Sequence, residues 1–185
     1  ADKVMNTTGV ELEDSYETLW GYDETAIDCM KRNTKEGILE VHWSGGGNWE
    51  TWMYGRQLDN WDYYFTWAKW ITPSRDIIND FDKEGDEVRK NQAIVYYACT
   101  WSNYYPASNY PFMYKLRSSY NNIYWVRLAD IILMKAEAEA YKGNLAESAK
   151  LVNQIRKRAK LKELTSDKTG SKESMIEAVL HERRL

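Results

Sequence analysis

The feature that most constrains the fold is a pair of segments in which apolar residues recur at helical spacing, separated by one glycine. Residues 124–142 carry apolar side chains at helical spacing and are rich in Ala, Leu and Met, which are strong helix formers. Gly143 offers a left-handed stop, and Asn144 can cap the next helix. The second segment with helical spacing runs from about Leu145 to Leu161. Because the turn is so short, the sequence predicts an antiparallel helical hairpin.

A third helix is predicted after a polar loop that runs from Leu164 to Lys172. It begins near Ser171 or Ser174, because Ser174 and Glu177 have the spacing of a capping box. Apolar residues then follow at helical spacing as far as the end of the chain.

The upstream half predicts shorter elements. Thr72 is placed as the N-cap of a short helix with Pro73 in its first turn, and Gly85 ends that helix. Residues 38–43 alternate and predict a strand, with one face turned inward and Glu40 and His42 on the opposite face; the inward residues are Leu39, Val41 and Trp43. Most of residues 44–72 and of residues 100–123 is expected to form loops, and the first thirty residues are expected to hold helices.

Composition narrows the class of protein. Lys and Arg total 25 against 28 Asp and Glu, and the formal net charge of −3 argues against binding to nucleic acid. No stretch of the sequence predicts a transmembrane helix. Cys29 and Cys99 leave a disulfide open, but their spacing argues against a zinc site. The sequence contains only two histidines, which argues against catalysis by histidine side chains. We also expect no metal and no cofactor.

Six segments resemble motifs of the SusD/RagB family of outer-membrane nutrient-binding lipoproteins. Residues 127–138 look like its RLAEvyLMyAEA helix, residues 151–159 are similar to its LNqvRxRAg helix, and residues 177–184 are similar to its AIlxERRxEL segment. Earlier in the chain, residues 33–41 resemble the NSkEvIFEV strand, residues 14–20 the DYxxLF stretch, and residues 73–89 a Pro-led helix followed by a GDpR turn. The motifs occur in the order typical of the family. Gly37 departs from the pattern where an aliphatic residue is usual.

The resemblance implies a mostly α fold with TPR-like antiparallel helical hairpins, long aromatic-rich loops and a short strand or small β element. Residues 1–185 are then one partial SusD-like domain: helices and loop in 1–37, strand and aromatic-rich loop in 38–72, short helix and loops in 73–123, and the hairpin with the third helix in 124–185. The chain opens without an initiator Met, and Leu185 lies inside a helical pattern. We therefore expect a segment of a longer protein.

The resemblance also implies a function. Such proteins capture glycans or other nutrients at the surface of the bacterial outer membrane, and they deliver them to a SusC-like TonB-dependent transporter without catalysis. The membrane is reached only through a lipid anchor that this segment does not contain. The shared motifs include no ligand-binding residue.

Candidate ligand-binding residues come instead from the aromatic content of the loops. Residues 41–70 hold ten aromatic side chains interleaved with amides and charged groups. An aromatic ring can bind the apolar face of a sugar, while amide, carboxylate or guanidinium groups bind its hydroxyls. The predicted glycan-binding residues are Trp49, Trp52, Tyr54, Arg56, Asn60, Trp61 and Asp62, with a second loop of Trp101, Asn103, Tyr104 and Tyr105. Large aromatics are also common in protein cores, so a structural role for many of these rings stays open.

Two other functions remain open at this stage. A TPR-like scaffold would bury the aromatics and bind a peptide or protein partner through its helical groove. A glycosidase would need two carboxylates about 5–10 Å apart, and four acids near the aromatics are available: Glu40, Glu50, Asp59 and Asp62. The basic run from Arg156 to Lys162 is explained by the dipole at the C-terminal end of a helix.

Overall fold

The computed structural model describes residues 1–20, 22–23, 28–29, 31–42, 72–98, 105–115 and 122–185. The helices are α1 (Asp2–Met5), α2 (Arg75–Glu84), α3 (Glu87–Ala93), α4 (Leu128–Lys142), α5 (Leu145–Arg158), α6 (Ser166–Thr169) and α7 (Lys172–Arg184), and a 3-10 helix spans Tyr16–Trp20. The strands are β1 (Tyr22–Asp23), β2 (Asp28–Cys29), β3 (Gly37–His42), β4 (Ile94–Tyr97), β5 (Tyr110–Met113) and β6 (Asn122–Arg127). Three antiparallel pairs form, β1 with β2, β3 with β6, and β4 with β5. The predicted mostly α fold with small β elements is confirmed.

The predicted helical hairpin is α4 and α5. Gly143 ends α4 with a φ of +83°, a backbone conformation that glycine adopts without strain. Asn144 is the N-cap residue of α5. The side chains of Ala136 and Ala140 are fully buried, which lets the helices approach closely, and the Ser148 hydroxyl donates to the Ala136 carbonyl over 2.7 Å.

The start of the first hairpin helix was predicted too early. Residues 124–127 belong to β6, where Tyr124 pairs with Glu40 of β3, and α4 begins only at Leu128. The strand forms because β3 supplies backbone partners from residues about 85 positions away in sequence, a contact that local periodicity does not report.

Strand β3 is confirmed, but the predicted orientation of its side chains is wrong. Leu39 is exposed, while only 8% of the Glu40 side chain is accessible. The register explains the difference. Gly37 pairs with Arg127 and Leu39 with Val126, so Ile38 is an extra residue that interrupts the alternation of β3. Glu40 pairs with Tyr124, so Trp125 is in turn an extra residue in β6. This bulge turns Trp125 outward, where it is 70% exposed. Trp43 lies outside the described residues.

Helix α2 ends at Gly85 as predicted, but its cap differs. Ser74, and not Thr72, is the N-cap, and its hydroxyl accepts from the Ile77 amide over 3.2 Å. Thr72 instead bonds to Tyr110. Helix α3 follows at once, and the Asp86 carboxylate caps it by accepting from the Arg89 amide over 3.0 Å.

Two further expectations need correction. The N-cap of α7 is Ser171, one of the two predicted starts, whose hydroxyl accepts from the Ser174 amide over 3.1 Å. The predicted capping box at Ser174 therefore does not form. The loops predicted for residues 100–123 and 164–172 contain β5, the start of β6, and the single-turn helix α6.

The main hydrophobic core lies between α4, α5 and α7. Each helix contributes a buried apolar stripe to it; the members are Leu128, Ala129, Ile132, Leu133, Ala136, Ala140, Leu151, Val152, Ile155, Met175, Ala178 and Val179. A second cluster packs the 3-10 helix against β6 through Tyr16, Leu19 and Trp20. The Trp20 ring meets the Tyr124 ring edge-on at 5.7 Å between centroids.

Candidate functional site

The predicted ligand-binding residues lie almost wholly in two segments outside the described residues. The first aromatic segment, residues 43–71, holds Trp49, Trp52, Tyr54, Arg56, Asn60, Trp61 and Asp62, and the second aromatic segment, residues 99–104, holds Trp101, Asn103 and Tyr104. The contacts of Tyr105 are described, as are the residues from which both segments depart. These positions define how the two segments are attached to the framework.

Tyr105 anchors the end of the second aromatic segment to the end of the first. Its hydroxyl donates to the Pro73 carbonyl over 2.7 Å. Its half-buried ring meets the Tyr110 ring edge-on at 5.5 Å between centroids, and the Arg75 guanidinium lies 5.3 Å from the Tyr105 centroid. Contact between Tyr105 and a ligand stays a prediction.

A second contact joins residues that follow the same two segments in sequence. The hydroxyls of Thr72 and Tyr110 are 2.9 Å apart and share a hydrogen bond. Tyr110 is 4% exposed and packs on Phe112, with ring centroids 4.9 Å apart, so its hydroxyl is held by the β4–β5 pair. We call Thr72, Pro73, Tyr105 and Tyr110 the segment joint. It holds the C-terminal ends of both aromatic segments at one place on the framework.

The other end of the first aromatic segment leaves from β3. His42, the last residue of that strand, lies with its Nε2 atom 2.9 Å from Glu40 Oε2. Glu40 Oε2 also accepts from the Asn33 amide over 3.0 Å. An alanine Cβ at Gly37 would lie 1.8 Å from Glu40 Oε1, so the glycine makes room for this inward carboxylate.

Below these strands, a fully buried carboxylate binds two arginines from different elements. Glu36 accepts from Arg127 Nη1 over 2.7 Å and from Arg158 Nη1, and its Oε2 atom also accepts from the Glu13 amide over 3.1 Å. We call Glu36, Arg127 and Arg158 the Glu36 cluster. It joins the residue before β3 to the end of β6 and to the last turn of α5.

A second buried carboxylate joins three helices. Glu182 of α7 accepts from Arg89 Nη1 of α3 over 2.7 Å and from Arg156 Nη1 of α5 over 3.0 Å. Asp86 accepts from Arg89 Nε, and Glu84 accepts from Arg156 Nη2 over 2.9 Å. We call these five residues the Glu182 cluster.

The basic residues from Arg156 to Lys162 therefore have two roles, whereas the sequence indicated only an interaction with the helix dipole. Arg156 and Arg158 are buried and paired, whereas Lys157 and Lys160 are exposed at the end of α5, where the helix dipole favours cations. Sequence reasoning missed the buried carboxylates Glu36 and Glu182. The sign of Glu36 and Glu182 in the sequence was that each is a charged residue inside a segment that resembles a family motif. The arginines that pair with them are far away in sequence.

Both clusters are built from the segments that resemble family motifs. Arg127, Arg156, Arg158 and Glu182 lie in the three helical motifs, Glu36 lies in the strand motif, and Asp86 and Arg89 lie in the GDpR-like turn. A buried ion pair needs each partner, since a lone buried charge is strongly destabilising. The paired charges of the motifs thus form part of the framework.

An open cleft of about 780 Å³ lies between the ends of α2 and α5 and the helices α6 and α7. Its lining carries both charge signs and includes Lys83, Lys162, Lys168, Glu163 and Glu177.

Among the described residues, no group of three or more His, Cys, Asp or Glu is placed to hold a metal ion. No helix in this part of the chain is long and apolar enough to cross a membrane.

The comparisons with known proteins agree with this framework. Two solved structures share the fold over nearly the whole chain. One is a SusD superfamily protein from Bacteroides vulgatus ATCC 8482, with 20% identity over 99% of this chain and a TM-score of 0.67. The other is a SusD superfamily protein from Parabacteroides distasonis ATCC 8503, with 20% identity over 98% of this chain and a TM-score of 0.69.

The family comparison is more specific. Residues 105–185 match the model of the SusD family, SusD_RagB. The resemblance to the SusD/RagB family is thereby confirmed, through the family model for these residues and through the fold for the chain. The chain spans 43% and 41% of the lengths of the two solved chains. No curated protein matches the sequence.

Proposed function

We propose that this chain is part of a protein that binds a glycan at the surface of the bacterial outer membrane and passes it to a TonB-dependent, SusC-like transporter. A lipid anchor holds the protein there. The observation that carries the proposal is the segment joint on a SusD-like framework. Thr72 and Tyr105 attach both predicted aromatic segments at one place, and this supports a single binding surface made from the two.

The chemistry of the two segments suits a glycan. Indole and phenol rings present flat apolar faces to the C–H face of a pyranose, and they lose little conformational entropy because few bonds rotate. Amide, carboxylate and guanidinium groups bind the hydroxyl rim. The residues proposed for these roles are Trp49, Trp52, Tyr54, Arg56, Asn60, Trp61, Asp62, Trp101, Asn103, Tyr104 and Tyr105.

The proposed action is capture without catalysis. A glycosidase places two carboxylates across one glycosidic bond with open access to it. Of the four acids considered for such a pair, Glu40 is described, and its carboxylate is engaged by His42 and the Asn33 amide. Glu50, Asp59 and Asp62 lie outside the described residues. The engagement of Glu40 supports a binding role over an enzymatic one.

A titration of tryptophan fluorescence against a panel of soluble polysaccharides and oligosaccharides tests the proposal. We expect a saturable change for one glycan class, with no release of reducing sugar during prolonged incubation. Release of reducing sugar would contradict the non-catalytic role, and a folded protein that responds to no glycan would contradict glycan binding.

A TPR-like scaffold that binds a peptide or protein partner is the alternative. The observation that favours it is the open cleft between α2, α5, α6 and α7, whose volume of about 780 Å³ falls in the range of ligand sites. Lys162→Glu and Lys168→Glu reverse two charges on its lining. If the scaffold function is correct, this pair of changes abolishes partner binding and leaves glycan binding untouched.

A further inference from the structure

Helix α4 carries apolar residues on two opposite sides. One side belongs to the main hydrophobic core; its members are Leu128, Ala129, Ile132, Leu133, Ala136 and Ala140. On the other side, apolar residues recur at steps of three, four and three positions. We call these residues the outer face of α4: Ile131, Met134, Ala138 and Tyr141. A surface helix normally has charged or polar residues opposite its core side, whereas a helix that is apolar all round is typically buried.

The outer face is largely accessible to solvent. Met134 is 47% exposed and Tyr141 is 56% exposed, while Ala138 is exposed and Ile131 is half-buried. The Lys172 ammonium of α7 lies 5.5 Å from the centroid of the Tyr141 ring, and this contact leaves more than half of Tyr141 accessible. Large apolar side chains that share one exposed face indicate a contact surface, unlike single apolar residues scattered over a protein.

Charged residues on both borders of the outer face are paired within the chain. On the side of α7, Arg183 donates to Glu137 over 2.9 Å and to Asp130 over 3.1 Å. On the side of α1, Lys135 forms an ion pair with Asp2 over 2.8 Å. Because these charges already have partners, the outer face itself offers apolar contact to whatever covers it.

The spacing within the outer face favours a helix as the covering element. Steps of three and four positions keep side chains on one stripe of a helix, and such a stripe packs well against the apolar stripe of a second helix. The stripe is about three turns long. This is small for contact with a separate molecule, because each partner of a standard interface buries about 800 Å². A helix of the same protein needs less contact, since it loses no translational freedom when it packs.

A SusD-like protein has more chain than the part described above. This chain spans less than half of each of the two solved SusD superfamily chains. We propose that, in the whole protein, the outer face of α4 packs against an amphipathic helix from the part of the fold that this chain does not span. The inference rests on one element of the proposed function, that this chain is part of a SusD-like protein. It does not depend on glycan binding.

Oxidation of methionine by hydrogen peroxide tests the proposal without any substitution. Met134 lies in the outer face, and Met175 is a fully buried reference in the main core. Sulfoxide formation at both residues is measured by peptide mass spectrometry in the whole protein and in the 185-residue chain. Both proteins in urea give the rate of an accessible methionine. We expect Met134 to react as slowly as Met175 in the whole protein, and on the order of tenfold faster than Met175 in the 185-residue chain.

Each other outcome overturns the proposal. Rapid oxidation of Met134 in the whole protein would mean that its own chain does not cover the outer face. Protection that weakens on dilution would identify a second copy as the occupant. Slow oxidation of Met134 in the folded 185-residue chain would place the occupant within that chain. Met175 reports whether the 185-residue chain is folded, and if it is not, the whole protein decides. No glycan enters the experiment, so its failure is distinct from a failure of glycan binding.

A substitution in the whole protein gives a second measurement. Met134→Gln keeps a long side chain of similar helix propensity but removes the apolar contact. We expect it to lower the Tm by about 2 °C or more. Lys150→Gln is the matched control, because Lys150 is an exposed residue of α5 that lies away from the outer face. Its Tm should equal that of the wild type. Equal Tm values for Met134→Gln and the wild type would overturn the proposal.

Discussion

Arg89 and Glu182 form an ion pair over 2.7 Å between Nη1 and Oε1, although they are 93 positions apart in sequence. Both side chains are almost inaccessible to solvent. The pair connects α3, which follows the GDpR-like turn, to the last helix of the chain. Its position shows that the family-like motifs stabilise one another across the fold.

The first prediction concerns this buried carboxylate. Glu182→Gln removes the charge that Arg89 and Arg156 share, and it replaces one of the two acceptor oxygens with an amide donor, so one buried guanidinium group loses its acceptor. Breaking a buried pair by changing one partner costs about 3–5 kcal/mol. We expect the free energy of unfolding, measured with urea, to fall by that amount.

Glu177→Gln is the control for this change, because Glu177 is exposed on the same helix. It should alter the free energy of unfolding by no more than about 0.5 kcal/mol. Equal losses in the two variants would show that Glu182 has no special role in the framework.

The second prediction concerns acid stability at Glu84. Burial would raise the pKa of this carboxyl, but Arg156 and His181 outweigh burial and hold it below its ordinary value of 4.5. A depressed pKa in the folded state stabilises the protein above pH 4.5, and this contribution is lost as the pH falls through the folded-state pKa. Glu84→Gln should therefore be less stable than the wild type at pH 5, and the difference should close toward pH 3.

Urea unfolding at several pH values between 3 and 5 measures this difference. Glu163→Gln serves as the control, since Glu163 is an exposed acid that lines the same cleft. Its stability should follow that of the wild type at every pH. A gap between Glu84→Gln and the wild type that stays constant down to pH 3 would show that the carboxyl is not stabilised by its partners.

A third prediction tests the segment joint. Tyr110→Phe keeps the buried ring but removes the hydroxyl that bonds to Thr72. A typical hydrogen bond contributes about 0.5–1.5 kcal/mol. We expect amide hydrogen exchange at Thr72 and in the first turn of α2 to become faster by about the corresponding factor, while α4 and α5 exchange as before. Unchanged exchange at Thr72 would mean that this bond does not hold the first aromatic segment.

Gly37 and Glu40 give a fourth prediction. A Cβ at residue 37 would displace the Glu40 carboxylate, which would lose its contacts with Asn33 and His42. Gly37→Ala should destabilise the wild type, and it should cost less in a Glu40→Ala background, with a coupling of about 0.5–3 kcal/mol in a double-mutant cycle. Strict additivity of the two changes would show that steric contact between them is absent.

The parts of the fold that depend on nearby residues could be predicted from the sequence. The α4–α5 hairpin follows from apolar spacing and from the left-handed conformation that Gly143 adopts without strain. The end of α2 at Gly85 follows for the same reason. The cap of α2 was misplaced because Thr72 and Ser74 are both capping residue types, and the bond that occupies Thr72 is a tertiary contact with Tyr110.

Contacts between distant residues could not be predicted. The strand at residues 124–127 depends on pairing with β3, and the extra residue Ile38 in β3 changes which side chains of that strand face inward. The buried pairs of Glu36 and Glu182 join positions that no local pattern relates. For the candidate site, the residue types indicated a chemistry, but the attachment of both aromatic segments at Tyr105 and Tyr110 is visible only in three dimensions.

The most direct measurement of the central claim is isothermal titration of the responsive glycan into Trp49→Ala and Trp52→Ala. Trp125→Ala is the matched control, since Trp125 is 70% exposed but lies on the framework outside both aromatic segments. Stacking of a nucleobase on an aromatic side chain contributes on the order of 1–3 kcal/mol per base, and we take the stacking of a sugar on an indole ring to be of the same order. The account predicts a loss of affinity of about tenfold or more in the first two variants and wild-type affinity in the control. Wild-type affinity in all three would contradict it.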